Sequence, residues 1–90
     1  MTYFVLATVK TELGITDTNS DALLNAMGAE SDDHVNNRLN YLVATPIPSP
    51  DNNIIDASNM GTIARYYKSV GMIDKASDYY RLADRYIDLY

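Results

Sequence analysis

Apolar positions along this chain recur at steps of three and four residues, the spacing that gathers them onto one face of an α-helix. Phe4, Leu6, Val9 and Leu13 set out a short first helix over residues 4–13, and Gly14 just beyond it suits a left-handed C-terminal residue. The run Asp17-Thr18-Asn19-Ser20-Asp21 then offers an oxygen-bearing side chain wherever a second helix needs a cap; Thr18 as the cap, with Asp21 three residues on, is the tidiest arrangement. Leu24, Met27, Ser31, Val35, Leu39 and Leu42 carry the stripe of that long helix to about residue 42. Gly28 and Ser31 put small side chains into the stripe, which points to another helix approaching closely there.

The segment Thr45-Pro46-Ile47-Pro48-Ser49-Pro50-Asp51-Asn52-Asn53 ends the helix, because its prolines cannot donate hydrogen bonds and hold their neighbours extended. It reads equally well as a stiff spacer or as an arm laid on a neighbouring subunit, with Ile47 the residue such an arm would present. From Asp56 or Ser58 a third helix carries Met60, Ile63, Ala64, Tyr67 and Val70 to Gly71. Asp74 then caps a fourth that carries Ala76, Tyr80, Ala83, Ile87 and Tyr90, and the short turn makes the pair an antiparallel hairpin. The predicted fold is all-α, four helices in one domain over residues 1–90. Tyrosines come as the adjacent pairs Tyr66-Tyr67 and Tyr79-Tyr80. Neighbouring helical positions lie about 100° apart, so one of each pair faces the core. Tyr67 and Tyr80 are the expected core members, Tyr66 and Tyr79 the rim.

Composition narrows the function classes. Seven Lys and Arg against twelve Asp and Glu give a net charge of −5, and the cations are scattered, which argues against a nucleic-acid-gripping surface. The nearest basic-aromatic run is Arg65-Tyr66-Tyr67-Lys68. With no Cys, disulfides, thiolate metal sites and Cys nucleophiles are excluded. The first nine residues lack a basic region and a long apolar run, so neither a signal peptide nor a membrane span is expected there, and a soluble intracellular product is. The single His34 has Glu30 four residues before it on one helical face, but two ligands make no metal site and a solvated face is the expectation. No Ser-His arrangement or phosphate-binding glycine loop occurs, so neither an enzyme nor a cofactor is expected.

Two stretches resemble known families. In the C-terminal hairpin Ala64, Tyr67, Gly71, Ala76, Tyr80 and Ala83 fall at the offsets of one tetratricopeptide-type unit, although residues 1–56 hold no second copy. That resemblance implies, as the alternative function, a small helical protein-interaction module. At the other end, Val9, Lys10, Leu13, Gly14, Ile15, Asp17, Asp21, Leu23 and Leu24 match a short "VKxxLGI" helix followed by a capped turn. This N-terminal half is similar to the head-to-tail connector (adaptor, or head-completion) proteins of tailed viruses, bacteriophages among them. The order of a long helix, an irregular loop and two more helices also agrees with that family.

The connector resemblance implies a structural virion protein of the neck, assembled in the host cytoplasm. Its copies would form a homo-oligomeric ring of roughly a dozen beneath the portal protein. The ring would extend the channel through which DNA passes and offer a platform for the neck or tail-completion protein, with no membrane involved. Under that reading Gly14 is a hinge at which the first helix swings onto an adjacent subunit. Ile47, Tyr66, Tyr79 and Tyr90 are the expected protein-interface residues, aromatic anchors of the kind that dominate interface energetics.

Overall fold

The computed structural model describes residues 3–40, 45, 47 and 50–89. They form four helices, α1 (Leu6–Leu13), α2 (Asp21–Leu39), α3 (Asn52–Ser69) and α4 (Ile73–Asp88), with no strand among the described residues. With 76% of the described residues helical, more than twice the usual third, the fold class is all-α as expected.

Both short turns are closed by glycine in the left-handed region. Gly14 has φ 72°, and its N–H donates to Thr11 O while that of Ile15 donates to Lys10 O, so the last carbonyls of α1 find partners. Gly71, with φ 82°, repeats the pattern on Lys68 O and Tyr67 O at the end of α3. The helix starts differ from expectation. Thr18 caps nothing with its side chain: its carbonyl accepts from Asp21 N, Asp17 Oδ1 accepts from Asn19 N, and Ser20 stands at the N-cap of α2. α3 begins at Asn52 rather than at Asp56 or Ser58, because Asp51 Oδ1 accepts from Ile54 N at 3.0 Å and caps a turn the prolines were expected to forbid. Met72, not Asp74, occupies the N-cap of α4, leaving Asp74 in its first turn.

α3 lies at the centre, flanked by α2 and α4. Ser31 and Asp32 of α2 face Ser58 of α3, while Glu30, earlier in α2, faces Arg65, later in α3; the two helices therefore run antiparallel. α2 and α4 run parallel, since His34 and Arg38 reach Asp84 at 3.2 and 3.0 Å and Arg38 reaches on to Asp88 at 3.1 Å. The single histidine thus faces α4, not the Glu30 of its own helix.

The apolar interior has two parts. One gathers Tyr3, Val35, Leu39, Ile47, Ile54, Ala57 and Ile87. The other gathers Val9, Leu24 and Ile63, with Phe4, Leu13, Met60, Tyr66, Tyr67 and Tyr79 against it. The small residues of the α2 stripe do serve close approach. A Cβ at Gly28 would overlap the ring of Phe4, and one at Gly61 would overlap Ser31 Oγ, so α2 and α3 cross at the Ser31–Gly61 contact. Gly28, however, admits the N-terminal segment rather than a helix.

Eight residues are too few for α1 to hold its shape alone, and its hold comes from its neighbours. Val9 is fully buried against Leu24 and Ile63, and Lys10 Nζ meets Asp21 Oδ1 at 2.8 Å across the Gly14 turn. The strap before α1 is pinned by polar side chains. Asp32 Oδ1 accepts from Tyr3 N at 3.1 Å, Phe4 N at 3.2 Å and Ser58 Oγ at 2.5 Å, and Asn59 Oδ1 accepts from Val5 N at 2.7 Å.

Candidate assembly surface

Ile47 is placed otherwise than expected. It is 5% exposed, within the first core, and its N–H donates to Tyr3 Oη at 2.7 Å while Tyr3 Oη donates to Asn36 at 2.6 Å. Ile47 meets Val35 and Leu39 near the end of α2 and Ile54 and Ala57 near the start of α3, and burying the isoleucine there stabilises the chain more than presenting it to solvent. The expectation that it stands out on a stiff arm is therefore corrected.

Tyr66 and Tyr79 are half-buried, as rim positions should be, but the division within the second pair is reversed. Tyr79 packs on the second core, stacks on Tyr67 with ring centroids 5.5 Å apart and donates to Glu12 of α1 at 3.0 Å. Burial, then the bond to Glu12, raises its pKa. Tyr80 instead turns toward α2 and lies under the Arg65 guanidinium, 5.5 Å from ring centroid to Cζ. Neither Tyr67 nor Tyr80 is fully buried. Tyr90 lies outside the described residues. Because Tyr79 ties α1 to the hairpin, Tyr79→Ala is expected to lower the melting stability of the dilute chain by about 1–3 kcal/mol. A melt unchanged alongside lost assembly would assign the ring to an interface instead.

The basic-aromatic run of α3 is split by helical geometry. Tyr66 and Tyr67 enter the second core, whereas Arg65 and Lys68 face the opposite side, toward a groove. The groove lies away from the end at which Asp84 and Asp88 tie α2 to α4, and residues of α2, α3 and α4 together line it. Its larger part, about 440 Å³, is lined by Leu23, Ala26, Met27, Glu30, Arg65, Lys68, Ser69 and Tyr80. A second depression of about 190 Å³ adjoins it through Lys68 and Tyr80 and adds Ile73, Ala76 and Ser77.

Beside the groove the α3–α4 turn exposes large apolar side chains. Val70 is 53% exposed and Ile73 56%, and Leu23 on the facing wall is 48% exposed. Val70, expected in the core, stands outside because α3 ends at Ser69 and the turn carries the chain beyond the end of the packed hairpin. Scattered apolar residues need no explanation, but a contiguous patch with a charged rim is what interaction surfaces look like. The sequence held one overlooked signal: Leu23-Leu24 is an adjacent pair like the tyrosines, and only Leu24 can face inward.

The family model for the phage gp6-like head-tail connector protein matches residues 3–88, nearly the whole folded chain. The chain belongs to that family. Neither the curated proteins nor the solved structures compared with it yield a match. The connector resemblance of the N-terminal half therefore extends through the hairpin, and the tetratricopeptide-like offsets of residues 64–83 are those of a helical pair inside a connector fold. Head-tail connectors are structural components of the phage particle, and the surface of this connector offers a groove in which apolar side chains alternate with Glu30, Arg65 and Lys68. Among the described residues no group of His, Asp and Glu is arranged to hold a metal ion, and no helix is long and apolar enough to cross a membrane.

Proposed function

We propose that this connector assembles as a ring beneath the portal of a filled capsid, extends the DNA channel and receives the next neck or tail protein. The family match over residues 3–88 carries this reading. It is supported by an unpartnered apolar groove on a 90-residue chain, a size at which assembly supplements a modest core. The net charge of −5 suits a channel wall along which DNA slides without adhering. Its place would then be the virion neck, reached after synthesis in the host cytoplasm.

Within that reading Gly14 is the proposed pivot of α1, and movement there has to release Val9, the Lys10–Asp21 pair and the strap held by Asp32. Tyr66 and Tyr79, half-buried, keep rims for a further contact with a neighbour or the portal. Electron microscopy of the purified chain mixed with portal-bearing capsids tests the proposal. A ring is expected at the outer end of the portal; capsids whose portals stay bare at saturating protein overturn it.

A further inference from the structure

The groove and the far side of α4 are complementary in both apolar and charged character. Along the groove, Lys68 and Ile73 lie at the end nearest the α3–α4 turn, Leu23, Met27 and Tyr80 follow, and Arg65 paired with Glu30 closes the inner end. On the outer side of α4, Asp78, Leu82 and Arg85 recur at steps of four and three and so share one exposed stripe, with Leu82 39% exposed. Acid, leucine and base succeed one another on the stripe in the order that answers base, apolar socket and acid in the groove.

We infer that the groove is the docking site for the outer α4 stripe of a second copy of this chain. Leu82 of the incoming copy enters between Leu23, Met27 and Tyr80, Asp78 meets Lys68, and Arg85 reaches Glu30. Lys68 makes no ion pair within its own chain among the described residues, and Glu30, 71% exposed and 3.5 Å from Arg65, keeps an open side on which it can accept a second cation from a neighbour. Asp78 is held only by Arg81 on the same surface, an exposed pair of little net worth that docking can exchange.

The geometry also permits repetition. Groove residues Ile73, Ser77 and Tyr80 and stripe residues Asp78, Leu82 and Arg85 lie about 140° apart around α4, so one copy gives and receives at once. Matching the charge order sets the incoming α4 parallel to the receiving one, the orientation produced by rotation about an axis along the helices. Contacts between two different patches continue from copy to copy and close into rings when the rotation allows. This docking rests on the ring-forming reading above and specifies the surfaces that make it.

Leu23→Glu removes the socket and Leu82→Glu the plug; both side chains are exposed, so thermal melts should stay close to that of the unsubstituted chain. Each variant alone is expected to remain monomeric in sedimentation at concentrations where the unsubstituted chain assembles. Mixed, they should give one-to-one dimers and nothing larger, because one intact socket meets one intact plug. As a second measurement, the chain has no Cys, so Lys68→Cys with Asp78→Cys should yield a ladder of disulfide-linked oligomers on oxidation. Rings that persist in either Glu variant, or a mixture that stays monomeric, overturn the docking and leave the connector assignment standing. An unsubstituted chain that stays monomeric up to ~1 mM overturns the docking and the self-assembled ring together.

Discussion

Asp32→Ala is expected to destabilise the chain by about 3–5 kcal/mol and to free the N-terminal strap. The carboxylate oxygen Oδ1 is the shared acceptor of Tyr3 N, Phe4 N and Ser58 Oγ, at 3.1, 3.2 and 2.5 Å, and its residue is buried between α2 and α3. Removing it strands three donors in the interior at about 1–3 kcal/mol each, partly offset because an ionised group no longer has to be desolvated. In a domain of this size that loss lowers the melting temperature by more than ~12 °C. Asp32→Asn keeps an acceptor oxygen in the same place and should lie within about 1 kcal/mol of the unsubstituted chain.

The two variants also separate geometry from charge. Burial raises the Asp32 pKa above 3.8, with the bonds from Ser58, Phe4 and Tyr3 working the other way and Asp33 adding to the rise. The folded state therefore holds the proton more tightly than the unfolded state. The group contributes most below pH 3.8 and loses that contribution as pH climbs through its folded pKa. Urea melts across this range should show the stability of the unsubstituted chain, relative to Asp32→Asn, improving on acidification. An Ala variant that melts within about 1 kcal/mol of the unsubstituted chain would show that the strap is held by something else.

Gly61→Val should cost about 3 kcal/mol, unusually high for the addition of a small apolar side chain to a helix. At the α2–α3 crossing a Cβ on residue 61 overlaps Ser31 Oγ, which donates to Ser58 O at 2.8 Å, and it comes within 3.2 Å of Arg65 Nη1. Gly61→Ala should cost less, about 1–2 kcal/mol, because better helix propensity offsets part of the overlap. Ser31→Ala in the same chain removes the clashing hydroxyl. Ser58 O still accepts from Thr62 Oγ1 at 2.8 Å, so Ser31→Ala alone is cheap. A double-mutant cycle by chemical denaturation should therefore return a favourable coupling of about 1 kcal/mol between positions 31 and 61. Zero coupling would mean that the crossing relaxes without meeting the hydroxyl.

Local chemistry in the sequence determined which helices exist, where two of them end and what family the chain resembles. Gly14 and Gly71 are legible because a left-handed residue that closes a helix is a property of a few neighbouring atoms, and both turns form as expected. The α2 stripe from Leu24 to Leu39 is legible because helical period alone brings those residues to one face.

What the sequence left undecided depends on which surfaces meet. Ile47 reads as a protruding arm until its side chain is seen packed between the apolar ends of α2 and α3, and Tyr3 becomes a core residue only because Asn36 and the Ile47 N–H satisfy its hydroxyl. Adjacent Tyr79 and Tyr80 are equivalent by period, and only the seating of α1 on one side of the hairpin draws Tyr79 to the core and leaves Tyr80 to the groove. The groove itself exists because α2, α3 and α4 come together around it, with α2 and α4 joined by side chains some fifty residues apart, a relation that no local pattern encodes.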